Sequence, residues 1–580
     1  MTHCPAIITA DVDSQRLLTN AAYFFSGTPT SIIDELIQNA RRAGAAHVWW
    51  TLTDTTAEGN TTPAWCQVTI HDDGRGIDDP RKLVTLAATG WSDKTIASER
   101  PAGFGLWSLA ATGASVTSND WSVDLTPAVF AGTAAATVQP HDPHVGTTIT
   151  FRLDTHIQTV ENAIRASSRF APLDTYINGN AVERRDFLAG AERIIEWQGL
   201  RIGLYLDHRD SAHTSWINFH GLTVIDRAAD APCIQELSRH TATDCPPTVW
   251  HVRVDVIDCP QLALKLPDRN AIIQNDFYKQ LVSTAKREIL KAIADRPIHS
   301  LSMSYVHTAR KIGIAIADPA LFLHPWTPAT AVDHTLQHLV PITSTEGMIL
   351  YDPAETGPTV DQSLGAALTD EIRSRLFLTS PAYIGHPQYD LIPRIDADKL
   401  VWTITTNTGC LKVTAGTPVW TDRETPSAVV ESILLAIPVI AGNTDEWIDT
   451  ITLSAPVAVF AEKDTNDLYD WRAFVTAGTP AHKLGNTLYA ALFRPSDDSD
   501  SDSYNTQSTD ASVHLHAEAA RIVTGDAAAA LSRVIDSSIH ALRELFAAGA
   551  VTLTISSTPD RGITVTARAQ DGGVLASSAA

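Results

Sequence analysis

The pattern that most constrains this chain is one amphipathic helix followed by strand-like runs with no strand–helix–strand rhythm. "TSIIDELIQNARRAGA" sets Ile32, Ile33, Leu36, Ile37 and Ala40 on a single stripe, the 3.6-residue repeat of a helix with one buried face. Ser31 with Asp34 three residues later predicts a capping box, and Gly44 predicts the stop. "AHVWWTLTD" and "CQVTIHD", rich in β-branched and aromatic residues, then read as strands. After a glycine-rich interval "ASVTS", "WSVDLTP" and "GTTITFRLD" read the same way. A doubly wound parallel sheet would alternate strand with helix throughout, so the expectation is a mixed α+β domain.

A chain of 580 residues is too long for one ordinary core, and about 150 residues per domain predicts three or four. We read residues 1–155 as the first domain. Residues 156–300 form a second α/β domain, with "RIGLYLDHR" and "TVWHVRVDVID" as strands and "NDFYKQLVSTAKREILKAIADR" as a helix ended by Pro297. Residues 301–493 read as a mixed α/β domain of unassigned role. The acidic, serine-rich stretch 494–512 reads as a disordered linker, because such a composition cannot bury enough apolar surface to offset its ordering. Residues 513–580 read as helices followed by a hairpin about "PDRG".

The net charge of −23 argues against a surface that coats nucleic acid, although a local basic groove stays compatible with it. Six cysteines without CxxC spacing exclude a zinc knuckle and a thioredoxin-like pair, and read as buried free thiols. The start carries no basic segment followed by an apolar run, and no stretch approaches the roughly 18 apolar residues that span a bilayer. The expected compartment is the cytoplasm, without membrane attachment.

Three stretches of the first domain carry candidate chemistry. Glu35 and Asn39, four apart, share one helix face, where a carboxylate can serve as a base and an amide oxygen can ligate magnesium. The same spacing also suits a solvated face. In "HDDGRGIDDP", Asp72 ends a strand and Gly74 and Gly76 follow; an acceptor there can bind an exocyclic amine while glycines let backbone approach a flat ring. A plain tight turn accounts for that stretch equally well, whereas a calcium loop does not, because Asp73, Arg75 and Ile77 form no ligand ladder. In "RPAGFGLWSLAATGASV", Gly103 and Gly105 precede a small-residue run that reads as a helix, and free amides at a helix start bind anions. Neither a Walker A loop nor a third glycine of a dinucleotide fingerprint is present.

Taken in order, ExxxN on a helix, DxGxGI after a strand, GxGL before a helix and a closing "GTTITF" resemble the GHKL (Bergerat-fold) ATPase superfamily. Its members include gyrase B-type topoisomerases, heat-shock chaperone ATPases, MutL mismatch-repair proteins and histidine kinases. The resemblance covers residues ~20–155 and implies an α/β sandwich, a mixed sheet with helices on one face. It implies ATP and Mg2+ as cofactors, Glu35 as general base, Asn39 as metal ligand and Asp72 as reader of adenine. Gly74, Gly76 and Ile77 would line the base; Gly103, Phe104, Gly105 and Leu106 would belong to the phosphate-binding lid. Thr147 would help hold adenine, and Ser92 and Lys94 of "GWSDK" would neighbour the phosphates. Arg42 departs from the pattern, since gyrase-like and chaperone-like members commonly carry an acidic residue seven after the glutamate. Trp107 stands where many kinase-type members have another glycine.

Placement of the motif set near the start of the chain, with another α/β domain after it, resembles gyrase, MutL and chaperones rather than histidine kinases. In those groups the second domain often supplies a lysine to the γ-phosphate, for which Lys265 and Arg269 are candidates. The expected activity is ATP hydrolysis driving a chaperone-like clamp on a protein partner. A DNA-directed motor and a nucleotide-gated binding module with negligible turnover are the alternatives, and the acidic balance favours the protein-directed reading. The resemblance also allows an ATP-dependent homodimer.

Overall fold

The computed structural model describes residues 28–54, 65–85, 90–99, 105–208, 215–226, 233–236, 248–265, 271–331, 338–352, 356–415, 426–461, 471–496, 498, 501–526, 528, 551–557, 563–569 and 573–579. The chain separates into two compact units. The first comprises Met1–Leu237, Pro246–His299 and His307–Ala317; the second comprises Ser238–Cys245, Ser300–Val306 and Asp318–Ala580.

In the first unit, helix α1 (Pro29–Arg42) begins at Thr28, whose Oγ1 accepts the Ser31 amide at 3.3 Å. The cap is therefore Thr28 rather than Ser31: proline at the first helical position has a preset φ and no amide to satisfy, which starts the helix three residues earlier. The stop lies where the sequence places it, with Gly44 at φ +80°. Strands β1 (His47–Asp54), β2 (Cys66–Asp72), β3 (Ala114–Leu125), β4 (Gln139–Leu153), β5 (Asp174–Ile177) and β6 (Asn180–Ala181) form one sheet in the order β3-β4-β2-β1-β5-β6. Every neighbouring pair is antiparallel except β1 with β5, so the sheet is mixed, as expected.

Helices α1 and α3 (Ile157–Ser168) cover one face; α2 (Asp93–Glu99) lies between them in sequence. Period-two alternation along β1 turns Val48, Trp50 and Leu52 inward, where they meet Ile33, Leu36 and Ile37 of α1 and Ile164 of α3. Each such aliphatic side chain contributes roughly 1.5–3 kcal/mol by leaving water. On the opposite face Trp49 stacks between His47 and His71, at 5.5 and 5.2 Å between ring centres.

The run after Gly105, expected to be a helix, is a short 3-10 segment over Gly105–Leu109. Gly113 at φ +78° ends it, and a Cβ there would come 2.6 Å from the Leu125 carbonyl oxygen. So short a turn offers no extended helix dipole to an anion.

A second sheet follows in the same unit: β7 (Arg193–Trp197), β8 (Leu200–His208), β9 (Ser215–Phe219), β10 (Leu222–Asp226), β11 (Ile234–Gln235) and β12 (Thr248–Val256), in the order β10-β9-β12-β8-β7 with β11 beside β12. Helix α4 (Asp276–Ala294) starts at Asn275, whose Oδ1 accepts the Tyr278 amide at 2.9 Å.

The second unit holds a mixed sheet running from Ile349–Tyr351 to Trp447–Ser454 and a three-stranded sheet of Ala428–Val430, Val457–Ala461 and Trp471–Thr476. The expected linker 494–512 is corrected from residue 504 onward, because Tyr504–Thr524 is a single helix, α7. The helix α6 (Ala481–Leu492) precedes it, and α5 (Pro358–Ala367) lies earlier in the same unit. Ser503 caps α7 by accepting the Thr506 amide, and Leu515, Ala519 and Ile522 pack on Leu484 and Leu488 of α6. The serines, threonines and aspartates that suggest disorder lie before the helix and in its first turns, while the packing residues are a leucine, an alanine and an isoleucine further on. Near the end, Val551–Ser557 and Ile563–Ala569 pair as the expected hairpin, joined by a third strand, Val574–Ala579; its "PDRG" turn lies outside the described residues. Among the described cysteines Cys66 and Cys259 are buried thiols, while Cys410 is exposed. No helix among the described residues is long and apolar enough to cross a membrane.

Candidate nucleotide site

Where α1 faces the ends of β2 and β4, the fold leaves a cavity of about 170 Å3 lined by Glu35, Asn39, Asp72, Gly76, Ile77 and Thr147, among others. The apolar stripe of α1 decides which side chains line it: packing Ile33 and Ile37 on the sheet turns Glu35 and Asn39 toward the cavity.

Asp72 closes β2 and is 8% exposed. Its Oδ1 accepts the Gly74 amide at 2.9 Å. Burial pushes its carboxyl above the ordinary carboxylate range, against the amides of Gly74 and Thr147, which favour the ionised form. Beside it, Thr147 is paired in register with Asp72 across β2 and β4. Gly146 is required here: its φ is +74°, and a Cβ would stand 1.7 Å from the Asp72 carbonyl oxygen.

The other carboxylates of "HDDGRGIDDP" divide their work. Asp73 Oδ1 accepts the amides of Ala46 and His47 at 2.8 and 2.9 Å, and its Oδ2 lies 2.8 Å from His47 Nδ1, so it ties the start of β1 to the end of β2. Burial would raise the Asp73 carboxyl, but the His47 amide and ring and the Ala46 amide hold it below its ordinary value. Asp79 caps the short 3-10 turn Pro80–Leu83 by accepting the Arg81 amide. Gly74 does not line the cavity; a Cβ there would meet Ala43 and Asp72 Oδ1, so its bare backbone makes room for protein, not ligand. Gly76, at φ +72°, does line it.

One hydroxyl the sequence does not single out organises this wall. Ser118, fully buried on β3, donates to the Gly146 carbonyl at 2.9 Å, accepts the Ile77 amide at 2.9 Å and lies 3.1 Å from Thr147 Oγ1. Next to it Asn119 adopts φ +53° at a bulge and donates to the Ile77 carbonyl, as does Trp121 Nε1. An asparagine breaking the alternation of "ASVTSNDWSV" is the local signal, visible only once β3 is paired with β4.

Arg75 donates to the Gly90 carbonyl at 3.0 Å and its guanidinium lies 5.6 Å from the ring of Trp91, which lines the cavity. Ser92 is exposed and its Oγ accepts the Thr95 amide at the start of α2, the helix that contains Lys94. Gly105 opens the 3-10 turn, from which Leu106 and Trp107 line the cavity. Gly103, Phe104 and Arg269 lie outside the described residues. Lys265 is exposed and does not line the cavity.

The Arg42 side chain is 3% exposed and folded back along α1. Its Nη1 donates to Asn39 Oδ1 at 3.2 Å and lies 3.5 Å from Glu35 Oε1, while its Nε donates to Glu99 at 2.9 Å. Arg41 pairs with the same Glu99 carboxylate. Burial alone would raise the Glu99 carboxyl, but the two guanidinium groups outweigh it and hold it below its ordinary value.

Among the described residues no group of three or more His, Cys, Asp or Glu side chains can hold a metal by itself. A single amide oxygen on the cavity wall fits a hard cation that takes its remaining ligands from phosphates and water, so Asn39 is the residue that would hold Mg2+.

Residues 27–157 match the family described as histidine kinase-, DNA gyrase B- and HSP90-like ATPases. No curated relative matches the chain. Similar solved structures include the N-terminal domain of a DNA repair protein, at 15% identity over 47% of this chain and 96% of that one, with a TM-score of 0.30. The ATPase region of Saccharomyces cerevisiae topoisomerase II is 11% identical over 46% and 86% of the two chains, with a TM-score of 0.28. The 43K ATPase domain of Thermus thermophilus gyrase B is 14% identical over 52% and 100%, with a TM-score of 0.26. The family match falls on α1, β1–β4 and the cavity described above, and residues 27–157 form a GHKL ATPase-like domain.

Proposed function

We propose that this chain binds ATP in the cavity under α1 and hydrolyses it, using the cycle to change its grip on a protein partner. The observation that carries the reading is the convergence of Glu35, Asn39, Asp72 and Thr147 on one cavity from three separate elements. Asp72, buried and fixed by the Gly74 amide, accepts the exocyclic amine of adenine in its ionised form. Asn39 offers its carbonyl oxygen to the magnesium that accompanies the phosphates; when bound, that ion neutralises phosphate charge. Glu35, one turn earlier on the same face, orients a water toward the γ-phosphate and takes its proton. Arg75 and Trp91, packed against each other, stand on the wall of the same cavity. The acidic balance of −23 supports a protein rather than a nucleic-acid partner.

ATP turnover of wild type and Glu35→Ala, each with and without duplex DNA, tests the reading. Turnover lost in the variant, by on the order of 100-fold or more, with ATP binding kept, is the expected result. Equal turnover in both proteins removes Glu35 as the base, and stimulation of the wild type by DNA turns the partner assignment to nucleic acid.

A further inference from the structure

The arginine seven residues after Glu35 occupies the atom that magnesium would need. A basic residue in the last turn of a helix is favourable simply by facing the carbonyl end of the dipole, and it needs no side-chain partner for that. Arg42 does something else. At 3% exposure its guanidinium turns back over one and two helical turns to reach Asn39 Oδ1 at 3.2 Å and Glu35 Oε1 at 3.5 Å. Its remaining edge is anchored at 2.9 Å by Glu99, at the end of α2 and 57 residues further along the chain. The Glu99 side chain is itself 9% exposed and shared with Arg41.

We propose that Arg42 is an internal cation that competes with the divalent ion for Asn39, held within reach by Glu99, and that this pair sets how much magnesium nucleotide binding requires. The inference rests on the ATP reading of the same cavity. The physical reason is that one amide oxygen cannot serve a guanidinium and a doubly charged ion without bringing like charges together at contact distance. Entry of the ion with ATP moves Arg42 off Asn39, and Glu99 receives the displaced guanidinium because it already binds Nε on that side. A neutral residue at position 42 leaves the Asn39 oxygen open. Neutralising Glu99 does the opposite: among the described residues Arg42 then keeps Glu35 and Asn39 as its side-chain partners and holds them more firmly. Arg42 is on this account a positioning residue, acting on the ligand atom and not on the reacting phosphate.

Equilibrium dialysis of labelled ATP against a magnesium series, with the full chain and without turnover as the readout, tests this. Arg42→Gln is expected to lower the magnesium concentration at half-maximal ATP binding by on the order of tenfold, the size typical of changes behind a metal ligand. Glu99→Gln is expected to raise it. A folded Arg42→Gln protein, judged by circular dichroism, with an unchanged magnesium midpoint overturns the proposal. If removing the buried guanidinium prevents folding, Glu99→Gln decides alone, and an unchanged or lowered midpoint overturns it. A wild type that binds no ATP at any magnesium level overturns the ATP reading itself; ATP binding with unmoved midpoints overturns only the role of Arg42.

Discussion

His220 shows how one residue ties the second sheet of the first unit to the nucleotide wall. It sits at φ +55° in the β9–β10 turn, and its carbonyl accepts Gln38 Nε2 at 2.7 Å, between Glu35 and Asn39 on α1. Burial first, then the like charges of Arg41 and Arg42, lower its ring from 6.5 to about 4, with Glu99 and Asp258 opposing. A depressed folded value means the neutral ring stabilises the fold above pH 6.5, and that contribution is lost as pH falls through 6.5 toward 4. At ~1.4 kcal/mol per unit the loss approaches about 3 kcal/mol. Denaturant unfolding at a series of pH values is expected to show this fall in wild type and a flatter profile in His220→Asn, which keeps a residue tolerant of positive φ. Gly146 is the other decisive single position. Gly146→Ala forces a Cβ into the Asp72 carbonyl at a φ that alanine avoids, so stability is expected to drop by more than about 1 kcal/mol. Because the displaced atom belongs to Asp72, ATP affinity measured on the folded fraction is expected to fall as well; unaltered affinity would separate Asp72 from the ligand.

Among elements, those with a strong period were legible in the sequence and those set by a partner were not. The stripe of α1 and the alternation of β1 and β2 follow from their own residues, because a buried face imposes its repeat on any window long enough to show it. Two elements resisted. The run after Gly105 is apolar and rich in small residues, yet it is a 3-10 turn, followed by Gly113 packed against Leu125 and Thr126 at the far end of β3, a contact no short window of sequence contains. Helix α7 begins inside an acidic, serine-rich stretch, and its order comes from Leu515, Ala519 and Ile522 meeting Leu484 and Leu488 of α6. Its start depends on Ser503, and Ser503→Ala is expected to destabilise the second unit by about 1 kcal/mol in denaturant unfolding. A smaller change would mean that the tertiary contacts alone set where α7 starts.

Across the whole molecule, the charge of −23 bears on the choice of partner. A protein-directed motor is expected to show no retention on duplex DNA at about 150 mM salt, and weak retention at low salt that vanishes steeply with ionic strength would mark only general electrostatics. The sequence by itself determined the residue types at the site: a carboxylate and an amide four apart on a helix, an aspartate ending a strand, and a threonine after a glycine. These are legible because local spacing fixes which side chains share a face. Only the tertiary structure decided what each does. It shut Gly74 out of the cavity wall and assigned Asp73 to β1 and Asp79 to a cap. It buried Ser118 behind Ile77 and Thr147, and it folded Arg42 onto Asn39. The reason is physical: a hydrogen-bond partner, a close backbone approach or a buried ion pair is fixed by which distant segments the hydrophobic core brings together, and no window of neighbouring residues contains that information.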